Sequence, residues 1–218
     1  MLANMIELGQ VENGIVVSGE TAEELISSTI ETLLSDENLS RKTIKPAFAS
    51  LTIGSGSMGL YMQRAQSHDG EIRLIHGAWQ ANTKYCNLCH GGQSSSDSIL
   101  METQSEELLH RGVETADLTW RKFSSYPGWA ADDIDRFFCH QVGSAHAKLL
   151  FDILNLDSSK NYETLRILGN VGSVSAPITL AMAIESGLFE PGQKGALLGI
   201  GSGINSLMLG IEWLKDRT

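Results

Sequence analysis

At 218 residues with 42% hydrophobic content, the chain can bury one sizeable core or two packed halves of a larger doubly wound body, which excludes a disordered segment. A formal charge of −10 with no cluster of Lys and Arg argues against a nucleic-acid partner, because neutralising phosphates takes concentrated cations. No run approaches the roughly 18 apolar residues of a membrane span, no basic start with an apolar stretch marks a secretion signal, and three cysteines do not make a disulfide framework, so the sequence reads as cytoplasmic with no membrane span.

Met1 to Gly9 has helical apolar spacing, with Gly9 as a stop and no Ser, Thr or Asp cap ahead of it, so the sequence is expected to open inside a helix. Ile15-Val16-Val17 reads as a short buried strand. Thr21-Ala22-Glu23-Glu24 then reads as a capping box for a crossover helix with Leu25, Ile26, Ile30, Leu33 and Leu34 on one face. After a polar connector at 35–46, Phe48 to Ile53 reads as a strand, with Leu60-Tyr61-Met62 and Ile72-Arg73-Leu74-Ile75 as its neighbours. Residues Gln80 to Ser98 are polar and rich in Gly and Ser, which predicts a long loop covering a site or a partner surface. Thr103-Gln104-Ser105-Glu106 caps a helix through about Trp120. Asp132 to Asp135 leads into a strand at Phe137, and Ala145, Leu149, Leu150, Ile153 and Leu154 form a helical stripe. Ser175 or Ala176 before Pro177 suits a helix start and Gly187 its end, with Ala196 to Ile200 and Leu207 to Ile211 as closing strands. The alternation predicts an α/β fold in two units, the remainder of one over 1–98 and a complete one over 99–218.

Two short motifs have bland readings that outweigh the functional ones. Gly54-Ser55-Gly56-Ser57-Met58-Gly59 matches a dinucleotide fingerprint, but no helix clearly follows and Trp79 and Gln80, about twenty residues on, are not acidic; a glycine-rich strand passing close to other backbone explains it. Cys86-Asn87-Leu88-Cys89-His90 has the form of a haem-attachment or two-thiol metal motif. It lacks both an export signal and a second ligand pair of matching spacing, so no cofactor and no metal are expected.

His140 and Asn170 stand out instead. Each ends an apolar, strand-like run or the turn after one, where a polar side chain meets a cavity. Alone, His140 is an interior histidine and Asn170 holds a turn. Together, an imidazole and a carboxamide converging on one oxygen can stabilise a thioester carbonyl as it becomes an enolate. Gly201-Ser202-Gly203 adds tight backbone after a strand, able to present an N–H to a second oxyanion, while His146 reads as structural or solvent-facing.

These residues resemble the thiolase-like condensing enzymes, in particular the β-ketoacyl-acyl-carrier-protein synthase III family. Ile134-Asp135-Arg136-Phe137-Phe138-Cys139-His140-Gln141 matches that family's Ile-Asp, apolar strand and His-Gln pattern; Gly169-Asn170 matches its Gly-Asn turn, and Gly201-Ser202-Gly203 its terminal glycine-rich turn. The wording Gly-Asn-Val-Gly-Ser and Gly-Ile-Gly-Ser-Gly-Ile-Asn is similar to the branch that joins two acyl chains head to head in olefin biosynthesis. The resemblance implies a layered αβαβα thiolase-like fold with an incomplete N-terminal half. It also implies acyltransferase chemistry on acyl-CoA or acyl-carrier-protein thioesters, as in fatty acid biosynthesis and lipid metabolism, and a homodimer. The family's third catalytic group is a cysteine at a helix N-terminus, which would fall just ahead of Met1; Cys86, Cys89 and Cys139 do not match it. The expectation is therefore a condensing enzyme lacking its first part and inactive alone, or one completed by a Cys-bearing partner chain. A non-catalytic partner subunit that keeps the acyl pocket is the competing reading.

Overall fold

A computed structural model describes residues 1–65, 72–93 and 99–215. Its central element is a four-stranded sheet in the order β3-β8-β7-β6, made of β3 (Ile72–Ala81), β6 (Arg136–Cys139), β7 (Lys194–Gly201) and β8 (Asn205–Trp213). The β3/β8 and β7/β8 pairs are antiparallel, whereas β6 and β7 run parallel with Cys139 opposite Leu198.

Side-chain alternation along these strands divides the core between two faces. On one, Phe137, Cys139, Ala196, Leu198 and Met208 meet α4 (Ser105–Ser124) and α5 (Ser144–Leu154) through Val113, Ala116, Trp120, Phe123, Leu150, Phe151 and Leu154. On the other, Phe138 and Ile211 pack with Ala183 of α7 (Ser175–Glu185) and with Phe189. The spacing of Val113, Ala116, Trp120 and Phe123 is one helical face, and Glu106 and Glu107 in the first turn with Arg121 and Lys122 in the last oppose the helix dipole favourably. Pro177 sits in the first turn of α7, and Gly187 takes a positive φ of 67° just past its end.

Residues before the sheet form α1 (Leu2–Glu7), β1 (Asn13–Glu20), α2 (Glu23–Ser35), a single turn α3 (Arg41–Ile44) and β2 (Gly56–Gln63). β1 and β2 pair antiparallel, Asn13 opposite Gln63 and Glu20 opposite Gly56. A second ribbon joins β4 (Cys89–Gln93) to β5 (Ile99–Thr103).

Several expectations need correction. Ile15, Val16 and Val17 do form a strand, but it is not buried: their exposures are 63%, 41% and 74%. The capping box fails, since Ala22 is the N-cap of α2 and no side chain caps it; Ile30 and Leu34 face solvent while Thr29 takes the buried position. Phe48 to Ile53 is not a strand. It follows a 3-10 turn at Lys45–Ala47 and contains a second at Ser50–Thr52, with Ile53 making one isolated bridge to Asn170. The Leu60 and Ile72 segments are strands in different sheets. Of the expected loop, β3 continues to Ala81, a 3-10 segment spans Thr83–Leu88 and β4 follows, while residues 94–98 lie outside the described residues. α4 begins at Ser105 with Gln104 as N-cap and no side-chain cap. β3 precedes residue 98 yet joins the sheet of the strands after it.

Candidate functional site

His140 follows β6 directly, and its backbone N–H donates to the Leu198 carbonyl at 2.9 Å, fixing it at the C-terminal end of the parallel β6/β7 pair. The next turn is pinned from inside: buried Gln141 donates through Nε2 to the Cys139 carbonyl at 3.0 Å and to the Tyr162 carbonyl at 3.5 Å. Continuing the alternation, His140 points to the face of Phe138 and α7, and Cys139 to the opposite core.

Asn170 is held by its backbone. Its N–H donates to the Thr52 carbonyl at 2.9 Å and its carbonyl accepts from the Gly54 N–H at 2.8 Å. Gly54 must be glycine here, because a Cβ would collide with the Leu168 carbonyl. The dinucleotide-like motif thus serves close backbone approach and runs into a strand, β2, as the bland reading expected. Just before Asn170, Gly169 takes a φ of 68° that closes the short α6 (Leu165–Leu168).

The two side chains converge on Gly172. Asn170 Oδ1 accepts from the Gly172 N–H at 3.1 Å, and the Gly172 backbone lies close enough to the His140 ring to raise its proton affinity. Gly172 opens a helical run, a 3-10 turn at Gly172–Val174 continuing into α7, so its N–H is one of those that a helix start leaves without an internal partner. Asn170 fills that need. With Oδ1 committed as acceptor, the NH2 end of the carboxamide is the end left to donate outward.

Burial lowers the His140 pKa from 6.5 to about 4, and nearby His146 adds to the drop; the Gly172 backbone and the Glu20 carboxylate oppose it. The imidazole is therefore neutral at pH 7. His146, in the first turn of α5, is half-buried and its pKa is lowered by burial as well.

Gly201-Ser202-Gly203 forms the β7/β8 turn at the same sheet end as His140. Asn82, just past β3, holds it by a reciprocal pair of backbone bonds with Ile204, at 2.7 and 3.1 Å. Of the cysteines, Cys139 is buried and its thiol pKa is pushed far up by desolvation. Cys86 is exposed, and Cys89 is half-buried with its Sγ 3.6 Å from Thr103 Oγ1. Among the described residues no group of three or more His, Cys, Asp or Glu could hold a metal ion.

One group escaped the sequence reading. Glu20, at the end of β1, accepts at Oε1 from the Ser173 N–H at 3.0 Å and the Ser173 hydroxyl at 2.6 Å. Nothing local in the Ser-Gly-Glu stretch signals a link to a turn so distant in the chain. A mixed-charge cleft of about 830 Å³ lies elsewhere, at the α4 N-terminus, where Lys45 pairs with Glu106 and Arg111 with Glu107 and Glu114.

Residues 125–213 match the family model described as 3-oxoacyl-[acyl-carrier-protein] synthase III C terminal. The chain is 36% identical to an acyl-CoA:acyl-CoA alkyltransferase of Shewanella oneidensis, covering 97% of this chain and 62% of that protein. It is 31% identical to the enzyme of the same description from Xanthomonas campestris pv. campestris, covering 97% and 61%. Among solved structures it is similar to Xanthomonas campestris OleA with bound lauric acid and lauroyl-CoA, at a TM-score of 0.88 and 31% identity over 97% of this chain and 61% of that one. A 3-oxoacyl-(acyl carrier protein) synthase III from Xanthomonas oryzae pv. oryzae gives a TM-score of 0.87, also at 31% identity. The chain thus spans about 62% of the length of the curated relatives it matches.

Proposed function

This chain belongs to the thiolase-like condensing enzymes, alongside the β-ketoacyl-acyl-carrier-protein synthase III and acyl-CoA:acyl-CoA alkyltransferase proteins it matches, and on that premise we propose that its site serves a Claisen-type condensation of acyl thioesters. The carrying observation is the shared neighbour: Asn170 accepts from the Gly172 N–H, and the backbone of the same residue acts on the His140 ring. A thioester oxygen entering between them accepts from the His140 N–H, and that bond strengthens as the enolate charge develops. The Asn170 NH2 supplies the second donor. Both are set before the charge develops, which is where such donors lower a barrier most. Gly201, Ser202 and Gly203 are assigned the backbone contacts to the other oxyanion. A neutral imidazole suits this role, since it keeps one ring proton to donate without an added charge that burial would penalise.

None of the three cysteines is offered as the attacking thiolate, Cys139 least of all, because its thiol is buried and held protonated. The reading assigns that group to a cysteine outside these 218 residues, on the rest of a longer protein or on a Cys-bearing partner chain, and places the assembly, a homodimer of the completed unit, in the cytoplasm. Exposed Ile15, Val17 and Tyr61, with Ile15 opposite Tyr61 on the β1/β2 pair, support such an association, because clustered exposed apolar side chains mark interaction surfaces. No helix among the described residues is long and apolar enough to cross a membrane. The donor is acyl-CoA or an acyl carrier protein. Within the two-unit division, β3 is counted with the second unit.

Incubated alone with a long-chain acyl-CoA, the chain is expected to show no acyl transfer to Cys86, Cys89 or Cys139 by intact-mass measurement. Joined to a cysteine-bearing N-terminal part, in one polypeptide or as a separate chain, it is expected to condense, and His140→Ala or Asn170→Ala each to lower the rate by roughly 10²-fold or more, the loss typical of one oxyanion donor. Wild-type rates in both variants would refute the roles.

A further inference from the structure

The helical run that starts at Gly172 has two early N–H groups in need of partners, and they are met from different parts of the chain. Asn170 meets the first from two residues away. The second, on Ser173, is met by Glu20 from β1, which also takes the Ser173 hydroxyl on the same carboxylate oxygen. Ser18, two residues earlier and on the same side of the strand, places its hydroxyl 2.6 Å from that of Ser173. Gly172 itself has a φ of 52°, and a Cβ there would stand 2.6 Å from Glu20 Oε1, so the carboxylate occupies the space a side chain would need.

We propose that Glu20 is a positioning residue of this site: its carboxylate, delivered by the end of β1, ties down the Gly172–Ser173 backbone on which His140 and Asn170 converge. The geometry stands by itself; its purpose rests on the thioester reading above. A carboxylate does this better than a neutral acceptor, since charge-assisted hydrogen bonds are shorter and stronger, and negative charge is favoured at the start of a helical run. The same charge reaches His140 and opposes the effect of burial and of His146 on its ring. Glu20 therefore acts twice, on the backbone that orients both donors and on the proton affinity of one of them. It need not touch the substrate to do either.

The test uses the 218-residue chain with isotope-labelled histidine and backbone amides. His140 ring titration is followed by NMR between about pH 7 and pH 4, the range in which a lowered histidine titrates. In Glu20→Gln, which keeps an oxygen for Ser173 but removes the charge, His140 is expected to titrate lower than in wild type by about 0.3 unit or more. In Glu20→Ala, the Ser173 amide is expected to exchange with solvent about tenfold faster or more, as a local opening would allow. An unchanged His140 titration in Glu20→Gln would overturn the proposal, as would unchanged Ser173 exchange in Glu20→Ala; if the alanine variant fails to fold, the glutamine variant alone decides. Failure of the wild-type chain to bind an acyl-CoA would instead defeat the thioester reading and leave both NMR outcomes standing.

Discussion

Gly172 is the residue on which His140, Asn170 and Glu20 all bear. Its N–H serves Asn170, its backbone acts on the His140 ring, and its missing side chain leaves room for Glu20. Gly172→Ala is expected to lower stability by about 1–3 kcal/mol, combining a left-handed backbone position with displacement of the Glu20 carboxylate. Chemical denaturation measures it, and wild-type stability would contradict the packing described. His140 has its own consequence. Its folded-state pKa lies below the ordinary value, so below pH 6.5 the unfolded chain takes up a proton that the folded chain refuses. Stability is full above pH 6.5 and falls as the pH drops toward about 4, by up to about 3 kcal/mol from this residue. His146 and His76, both lowered by burial, act in the same direction. Denaturant midpoints measured across this range should fall with pH less steeply in His140→Ala; an equal slope in the variant would contradict the burial that sets the shift.

At the scale of elements, what the sequence made legible was whatever is enforced by periodicity near in the chain. The α5 helix, the helix opened by Pro177 and the closing strands β7 and β8 follow from local spacing, and the structure has them there. The 48–53 segment was not. Its apolar residues suggest a strand, but it forms short turns whose backbone ends on Asn170, a tertiary demand that no local pattern encodes. β1 illustrates a different gap: three consecutive β-branched residues mark the strand well, yet they do not say whether another layer covers it. His140 and Asn170 were legible because each terminates an apolar run with a polar side chain. Glu20 and Ser173 were not, since their meaning lies only in meeting each other across the fold.

At the scale of the whole molecule, helices on both faces of a mixed sheet give the α/β layering shared with its thiolase-like neighbours, and that layering brings the site together from three distant pieces. β6 brings His140, the turn ahead of α7 brings Asn170 and Gly172, and the end of β1 brings Glu20. The central claim is that the first two act on one oxygen. An acyl-CoA labelled with 13C at its thioester carbonyl tests this directly by infrared difference spectroscopy on binding to the chain. The carbonyl stretch is expected to move to lower frequency in the wild-type complex, by less in His140→Ala and in Asn170→Ala, and hardly at all when both are replaced. A bound carbonyl whose frequency is the same in all four proteins would contradict it.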